Sequence, residues 1–170
     1  MFNFNKITFC RPVSRRPTIA AAAEDISSLS TLVRLIKATN LEDTLDQHGS
    51  YTVFAPNNDA FAKIPDNVMS WYTKPENSDE LKSILLRHLL PTIYIAEVFP
   101  DGIMEVETVG GDMIKTEKSR SGMIVDSFGS KANIVATDTF AKNGIVHVID
   151  NVLWLNRKKN ALPQGFSFHN

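Results

Sequence analysis

Two histidines set in apolar runs, His88 within Leu85 to Pro91 and His147 within Ile145 to Ile149, are the side chains best placed to do chemistry in this sequence. With Asp138 and Asp150 nearby in the chain they could be drawn as a metal or acid–base cluster, because imidazole titrates near neutrality and coordinates zinc. Zinc, however, needs three or four converging ligands. A histidine inside an apolar run more simply packs its ring while one nitrogen bonds a backbone carbonyl or a carboxylate. That structural role is the one expected for both. His48 and His169 read as solvent-facing residues. No serine in a nucleophile elbow, no glycine-rich phosphate loop and no HExxH occurs in the sequence, so the usual catalytic signatures are missing. A single cysteine, Cys10, can form neither an intramolecular disulfide nor a cysteine-based metal site. We therefore expect no catalytic residue, no cofactor and no metal.

Charge narrows the partners. The 170 residues carry 18 Lys and Arg against 19 Asp and Glu, a net charge of -1, which gives no global field to hold a polyanion, so nucleic acid is not an expected partner. The mixed-sign group Lys115, Glu117, Lys118 and Arg120 reads as a solvated hairpin. Arg157, Lys158 and Lys159 could touch an acidic partner or anionic lipid, but three charges without an amphipathic anchor hold a membrane only marginally. No apolar run approaches the length of a spanning helix. Any membrane association is expected to be peripheral, through a complex.

These side chains must be positioned by elements that the apolar periodicity outlines. Leu29, Leu32, Val33 and Ile36 recur at helical spacing across residues 27–40. Tyr51 to Phe54 is β-prone and Pro56 ends it, after which Asn57 caps a short helix carrying Phe61. Asn77 with Glu80 three residues later resembles a capping box for a helix that carries Leu81, Ile84, Leu85, His88 and Leu89 up to Pro91. From Ile103 to Leu155 the pattern turns to short strands broken at Gly110–Gly111, Ser121–Gly122, Gly129 and Asn143–Gly144. The last pair is the strongest turn signal. Ile145, Val146, Val148 and Ile149 form a nearly continuous apolar strand, suited to the interior of a sheet. A helical front and a strand-rich back predict an α+β domain.

Three stretches, TVFAPNNDAF at 52–61, LLRHLLP at 85–91 and ATDTFAKNGIVHVIDNVL at 136–153, with LSTLVRLIKATNLEDTL at 29–45 upstream, together resemble the fasciclin domain. The resemblance covers residues 27–155. It implies a wedge-shaped β-sandwich flanked by short helices, used in adhesion, matrix binding or other protein contact and without general enzymatic activity. The motif residues Thr52, Phe54, Pro56, Phe61, His88, Asp138, Asn143, Gly144, His147 and Asp150 are accordingly expected to be structural. The family often has Tyr before the His of the middle motif, a region implicated in integrin contact. Here that position is Arg87, which argues against adhesion through that motif.

The ends suggest where the protein works. Residues 1–26 are acid-poor up to Glu24 and contain Lys6, Arg11, Arg15 and Arg16, with no continuous apolar stretch, a composition closer to an organellar transit sequence than to a secretory signal. A basic extension or leader over 1–26, the domain over 27–155 and a polar tail over 156–170 are expected, with a mitochondrion favoured over a plastid. On this reading the protein is a non-enzymatic accessory subunit of a larger, membrane-associated organellar assembly of several proteins. Arg11, Arg15, Arg16, Arg87, Arg157, Lys158 and Lys159 are its candidate partner contacts. The alternative is a secreted or surface adhesion and matrix-binding protein.

Overall fold

The computed structural model describes residues 16–46, 49–127 and 129–153. Among these described residues, six α-helices and seven strands follow in the order α1 (Ile19–Glu24), α2 (Ser30–Ala38), α3 (Glu42–Asp46), β1 (Tyr51–Pro56), α4 (Asn58–Ala62), α5 (Asp66–Tyr72), α6 (Ser78–Arg87), β2 (Leu89–Leu90), β3 (Gly102–Glu107), β4 (Met113–Ser119), β5 (Gly122–Ser127), β6 (Ser130–Ala141) and β7 (Gly144–Ile149). The strands run β2-β1-β7-β6-β5-β4-β3 across one sheet. β1 and β7 are parallel, whereas the other neighbours are antiparallel.

The long strand β6 folds that sheet on itself. Residues 130–133 pair with β5, whereas residues 134–141 pair with β7 through two register shifts between Ile134 and Thr139. Bulges of this kind bend a strand and increase its twist. The half made of β3, β4 and β5 therefore lies over one face of β1 and β7, and the helices cover the other.

Alternation along the central pair fills both spaces. From β1, Val53 and Ala55 point toward the helices and Phe54 points between the sheet halves; from β7, Val146 and Val148 oppose Ile149 in the same way. All six residues of β7 are buried, as a strand sandwiched on two faces requires. The helical layer contributes Leu29, Leu32, Leu35, Phe61, Leu81 and Leu85. Val106, Ile114, Val125 and Ala132 close the inner core around Phe54. The α+β wedge expected from the sequence is the architecture found.

Three details differ from the sequence reading. Asn77 makes no cap bond to α6 and instead donates its side-chain amide to Trp71 O at 2.8 Å, because Pro75–Asn77 is a 3-10 turn and Asn77 is already partly helical (φ -110, ψ 12). Asn143 and Gly144 are not the two central residues of a turn: Ala141 pairs with Gly144, so Lys142 and Asn143 form the loop and Gly144 starts the strand. Helix α1 lies upstream of the boundary drawn at residue 27, yet it places Ile19, Ala22 and Ala23 in the main core. Asn57 does cap α4, accepting the Ala60 amide at 2.8 Å.

Candidate functional site

Thr52, Asp138 and His147 come together at one place, where they hold the segment between β2 and β3. Thr52 is fully buried. Its hydroxyl donates to Thr92 O at 2.7 Å and accepts the Tyr94 amide at 2.7 Å. Two residues on, the His147 ring meets Tyr94 O at 2.8 Å through Nε2, and Asp138 Oδ1 accepts the Ala96 amide at 2.9 Å. Lys118 reaches over from β4 to donate to Ala96 O and Phe99 O at 3.0 and 3.1 Å. Lys118 is thus the clamp of this loop rather than one charge of a solvated hairpin.

The bend in β6 makes the clamp possible. Asp138 adopts a positive φ of 57°, which Asp tolerates better than most residues. This turns its side chain toward Ala96 while its amide donates to His147 Nδ1 at 3.2 Å. A carbonyl can only accept and an amide N–H can only donate. His147 is therefore neutral, with its proton on Nε2. Phe54 stacks on this ring at 5.7 Å and Phe99 meets it edge-on at 6.2 Å. Burial pushes its pKa below the usual histidine value, against the smaller opposing effects of Tyr94 O and the Asp138 charge.

His88 sits at the C-terminus of α6 with the opposite tautomer. Its Nδ1–H donates to Ile84 O at 2.8 Å, and Nε2 accepts the Leu153 amide at 3.0 Å. Burial first, then the Arg87 charge, lower its pKa to about 4 against the opposing Ile84 bond. In both rings the lone-pair nitrogen already holds a backbone amide. Neither has a free donor for a metal ion or a substrate proton, and Asp150 is turned elsewhere, accepting from Asn133 N and Nδ2 at 2.7 and 2.9 Å. The sequence drawing of a His–Asp cluster is thus separated into three unrelated pins.

The remaining motif residues also pack or hydrogen-bond within the domain. Pro56 ends the parallel ladder opposite Ile149, and Phe61 packs in the helical core. Asn143 accepts the Ile19 amide at 2.8 Å through Oδ1 and donates through Nδ2 to Leu45 O, so one side chain ties α1 and α3 to the β6–β7 loop. Replacing it by Ala orphans a backbone donor and a backbone acceptor. Asn143→Ala is expected to lower unfolding free energy by about 2 kcal/mol, measured by urea denaturation.

The candidate partner contacts divide sharply. Arg87 donates through Nε to Asp112 Oδ2 at 2.6 Å, with side chains only 13% and 12% exposed. Its charge is spent inside the domain, and Asp112, twenty-five residues away, gave no sequence signal of this. Arg16 lies 5.2 Å from the centre of the Phe140 ring. Arg11, Arg15, Arg157, Lys158 and Lys159 lie outside the described residues, as do His48 and His169.

Sequence reasoning missed the surface that the clamp presents. The pinned loop holds out Ile93 and Val98, 44% and 55% exposed, and leads directly into β3, where Ile103 is 67% exposed. No pattern marked them as exposed, since each adjoins another apolar residue, Tyr94 for Ile93, Phe99 for Val98 and Met104 for Ile103, and composition does not say which of two neighbours is turned outward. Among the described residues, no helix is long and apolar enough to cross a membrane.

The comparisons with known proteins agree with this architecture. The fasciclin domain family model matches residues 27–155. Among similar proteins, protein sll1483 of Synechocystis sp. is 38% identical over 136 residues, which cover 80% of this chain and 72% of that protein. Human periostin is 30% identical over 126 residues, covering 74% of this chain but 14% of periostin. A solved pair of FAS1 domains from the insect cell adhesion molecule fasciclin I superimposes with a TM-score of 0.70 at 22% identity, over 82% of this chain and 51% of that one. That likeness is one of fold. The motifs, their collinear order and the match over most of the chain place this protein in the fasciclin domain family.

Proposed function

We propose that this chain is a non-catalytic docking domain of the adhesive or matrix-binding kind, and that the loop at 92–99 with the adjoining end of β3 is the surface it docks with. One observation carries the reading: a loop held by Thr52, His147, Asp138 and Lys118 keeps apolar side chains in solvent. Ordering a loop before binding lowers the entropy lost on association, and exposed apolar residues on a rigid frame suit protein contact. The solved FAS1 pair belongs to a cell adhesion molecule, which supports the same class of function. The organellar, mitochondrial accessory-subunit reading finds no support among the relatives. Fold alone does not carry activity from one protein to another, so the test must be direct.

A surface coated with the full chain is expected to retain cells above an albumin-coated control. Soluble chain should compete, and the pair Ile93→Asp with Val98→Asp should return retention to the control level while leaving the melting temperature near that of the unmodified chain. Retention no greater than albumin for the unmodified chain would sink the adhesive reading. Equal retention by the double variant would place the contact elsewhere on the domain.

A further inference from the structure

Strand β3 ends the sheet, and among the described residues it pairs with β4 alone. Thr108 donates its amide to Asp112 O at 2.8 Å across the hairpin. In an antiparallel ladder the direction of the backbone groups alternates. Val106 and Met104 therefore face Ile114 and Thr116 of β4, whereas the amides and carbonyls of Ile103, Glu105 and Glu107 point away from the sheet. Among the described residues nothing hydrogen-bonds to those outward groups.

The same residues carry a readable side-chain pattern. Ile103, Glu105 and Glu107 are exposed, and Val106 is buried in the inner core. Between His88 and Lys115 the chain contains Glu97, Asp101, Glu105, Glu107 and Asp112 and no Lys, Arg or His. Arg87 neutralises Asp112, and an exposed Lys115 lies 3.1 Å from Glu105, which leaves Glu107 at one end of the strand and Asp101, just before it, as acidic groups outside any ion pair among the described residues.

We propose that β3 accepts an added strand from a partner protein, and that the strand it selects is an extended basic segment alternating Arg or Lys with a terminal apolar residue. Backbone bonds to Ile103, Glu105 and Glu107 supply the affinity of such strand addition, and the side-chain spacing supplies its selectivity. A second copy of this chain is a poor occupant. Antiparallel pairing of two β3 strands about Glu105 sets Glu105 against Glu105 and Glu107 against Ile103, and like charges directly opposite destabilise a pair. This inference rests on the docking reading and names one partner chemistry for it.

The test uses the full chain and a fluorescein-labelled peptide, Thr-Arg-Val-Lys-Val-Ile-Thr, whose Arg, Lys and Ile meet Glu107, Glu105 and Ile103 in antiparallel register. Saturable binding is expected by fluorescence anisotropy, with hydrogen exchange slowed about tenfold or more at Ile103, Glu105 and Glu107. Glu105→Pro removes an outward amide and no ladder bond, so it should melt near the unmodified chain yet bind the peptide about tenfold more weakly. Glu105→Gln combined with Glu107→Gln should weaken binding about fivefold and flatten its salt dependence. Undiminished binding by a folded Glu105→Pro variant, or exchange protection confined to other amides, overturns strand addition in favour of diffuse charge attraction. If the peptide fails to bind while the coated chain still retains cells, the edge proposal falls and the docking reading stands; if both fail, both fall.

Discussion

Gly144→Ala is expected to lower unfolding free energy by about 3 kcal/mol or more, at the upper end of what overpacking one site costs. The reason is the close parallel approach of β7 to β1. A Cβ added at Gly144 would lie 2.7 Å from Ile19 Cδ1 and 2.9 Å from the Tyr51 carbonyl carbon, with the carbonyl oxygen nearer still. The side chain of Ile19 could move. The Tyr51 carbonyl cannot, because Tyr51 opens a six-rung parallel ladder with β7 and its own amide is held by Asn143 O at 3.1 Å. Relief would have to come from parting β7 from β1, two strands buried on both faces.

The control is Gly111→Ala. Gly111 has a φ of +80 but nothing within 4 Å of an added Cβ, so the cost there is the left-handed backbone alone, about 1 kcal/mol. Urea unfolding of the two variants separates crowding from backbone strain. If Gly144→Ala unfolds no more easily than Gly111→Ala, the close approach of Tyr51 is not a constraint on this fold.

That glycine also shows where the sequence could be read and where it misled. Asn143–Gly144 has the composition of a hairpin turn, and a hairpin is there. Yet neither residue is among those with positive φ, and the pair matters for tertiary reasons: Gly144 for the backbone facing it, Asn143 for the Ile19 amide and the Leu45 carbonyl. Composition signals local geometry, and here the turn was right for reasons that lie 98 and 124 residues away in the chain. The helical stripes and the apolar run of β7 were legible because periodicity is local. The pin between Arg87 and Asp112, the Lys118 clamp and the Asp138 bulge were not. Each depends on how the strands pair and bend to bring together residues well separated in sequence, and no spacing in one sequence encodes that. The histidines fall between: packing with a backbone partner was expected for both, but the partners, Leu153 and the loop at Tyr94, could be named only from the fold.

Those two histidines set the second large effect, a loss of stability in acid. Each ring is neutral because one nitrogen donates to a carbonyl and the other accepts an amide. A second proton would turn the accepting nitrogen into a donor aimed at the Leu153 amide in His88, or at the Asp138 amide in His147. For His88 the folded pKa is about 4, lowered from 6.5 by burial. The unfolded chain therefore binds a proton in the window from pH 6.5 to 4 that the folded chain refuses. Stability is present above pH 6.5 and is lost as pH falls toward 4, the sign that applies whenever the unfolded state takes up more protons. The shift corresponds to about 3 kcal/mol from His88 alone by pH 4, and His147, shifted in the same direction, adds to it. Carboxylates elsewhere will also respond to acid, so the prediction is differential. His88→Gln should cost about 1–2 kcal/mol at pH 7, because glutamine replaces one bond of the ring and not both. It should then lose less stability than the unmodified chain between pH 6.5 and 4, and the two curves of unfolding free energy against pH should converge on the acid side. Parallel curves would mean that His88 takes up its proton in the folded chain as readily as in the unfolded one, and the pin to Leu153 would then have no part in holding the segment that follows β7 against α6.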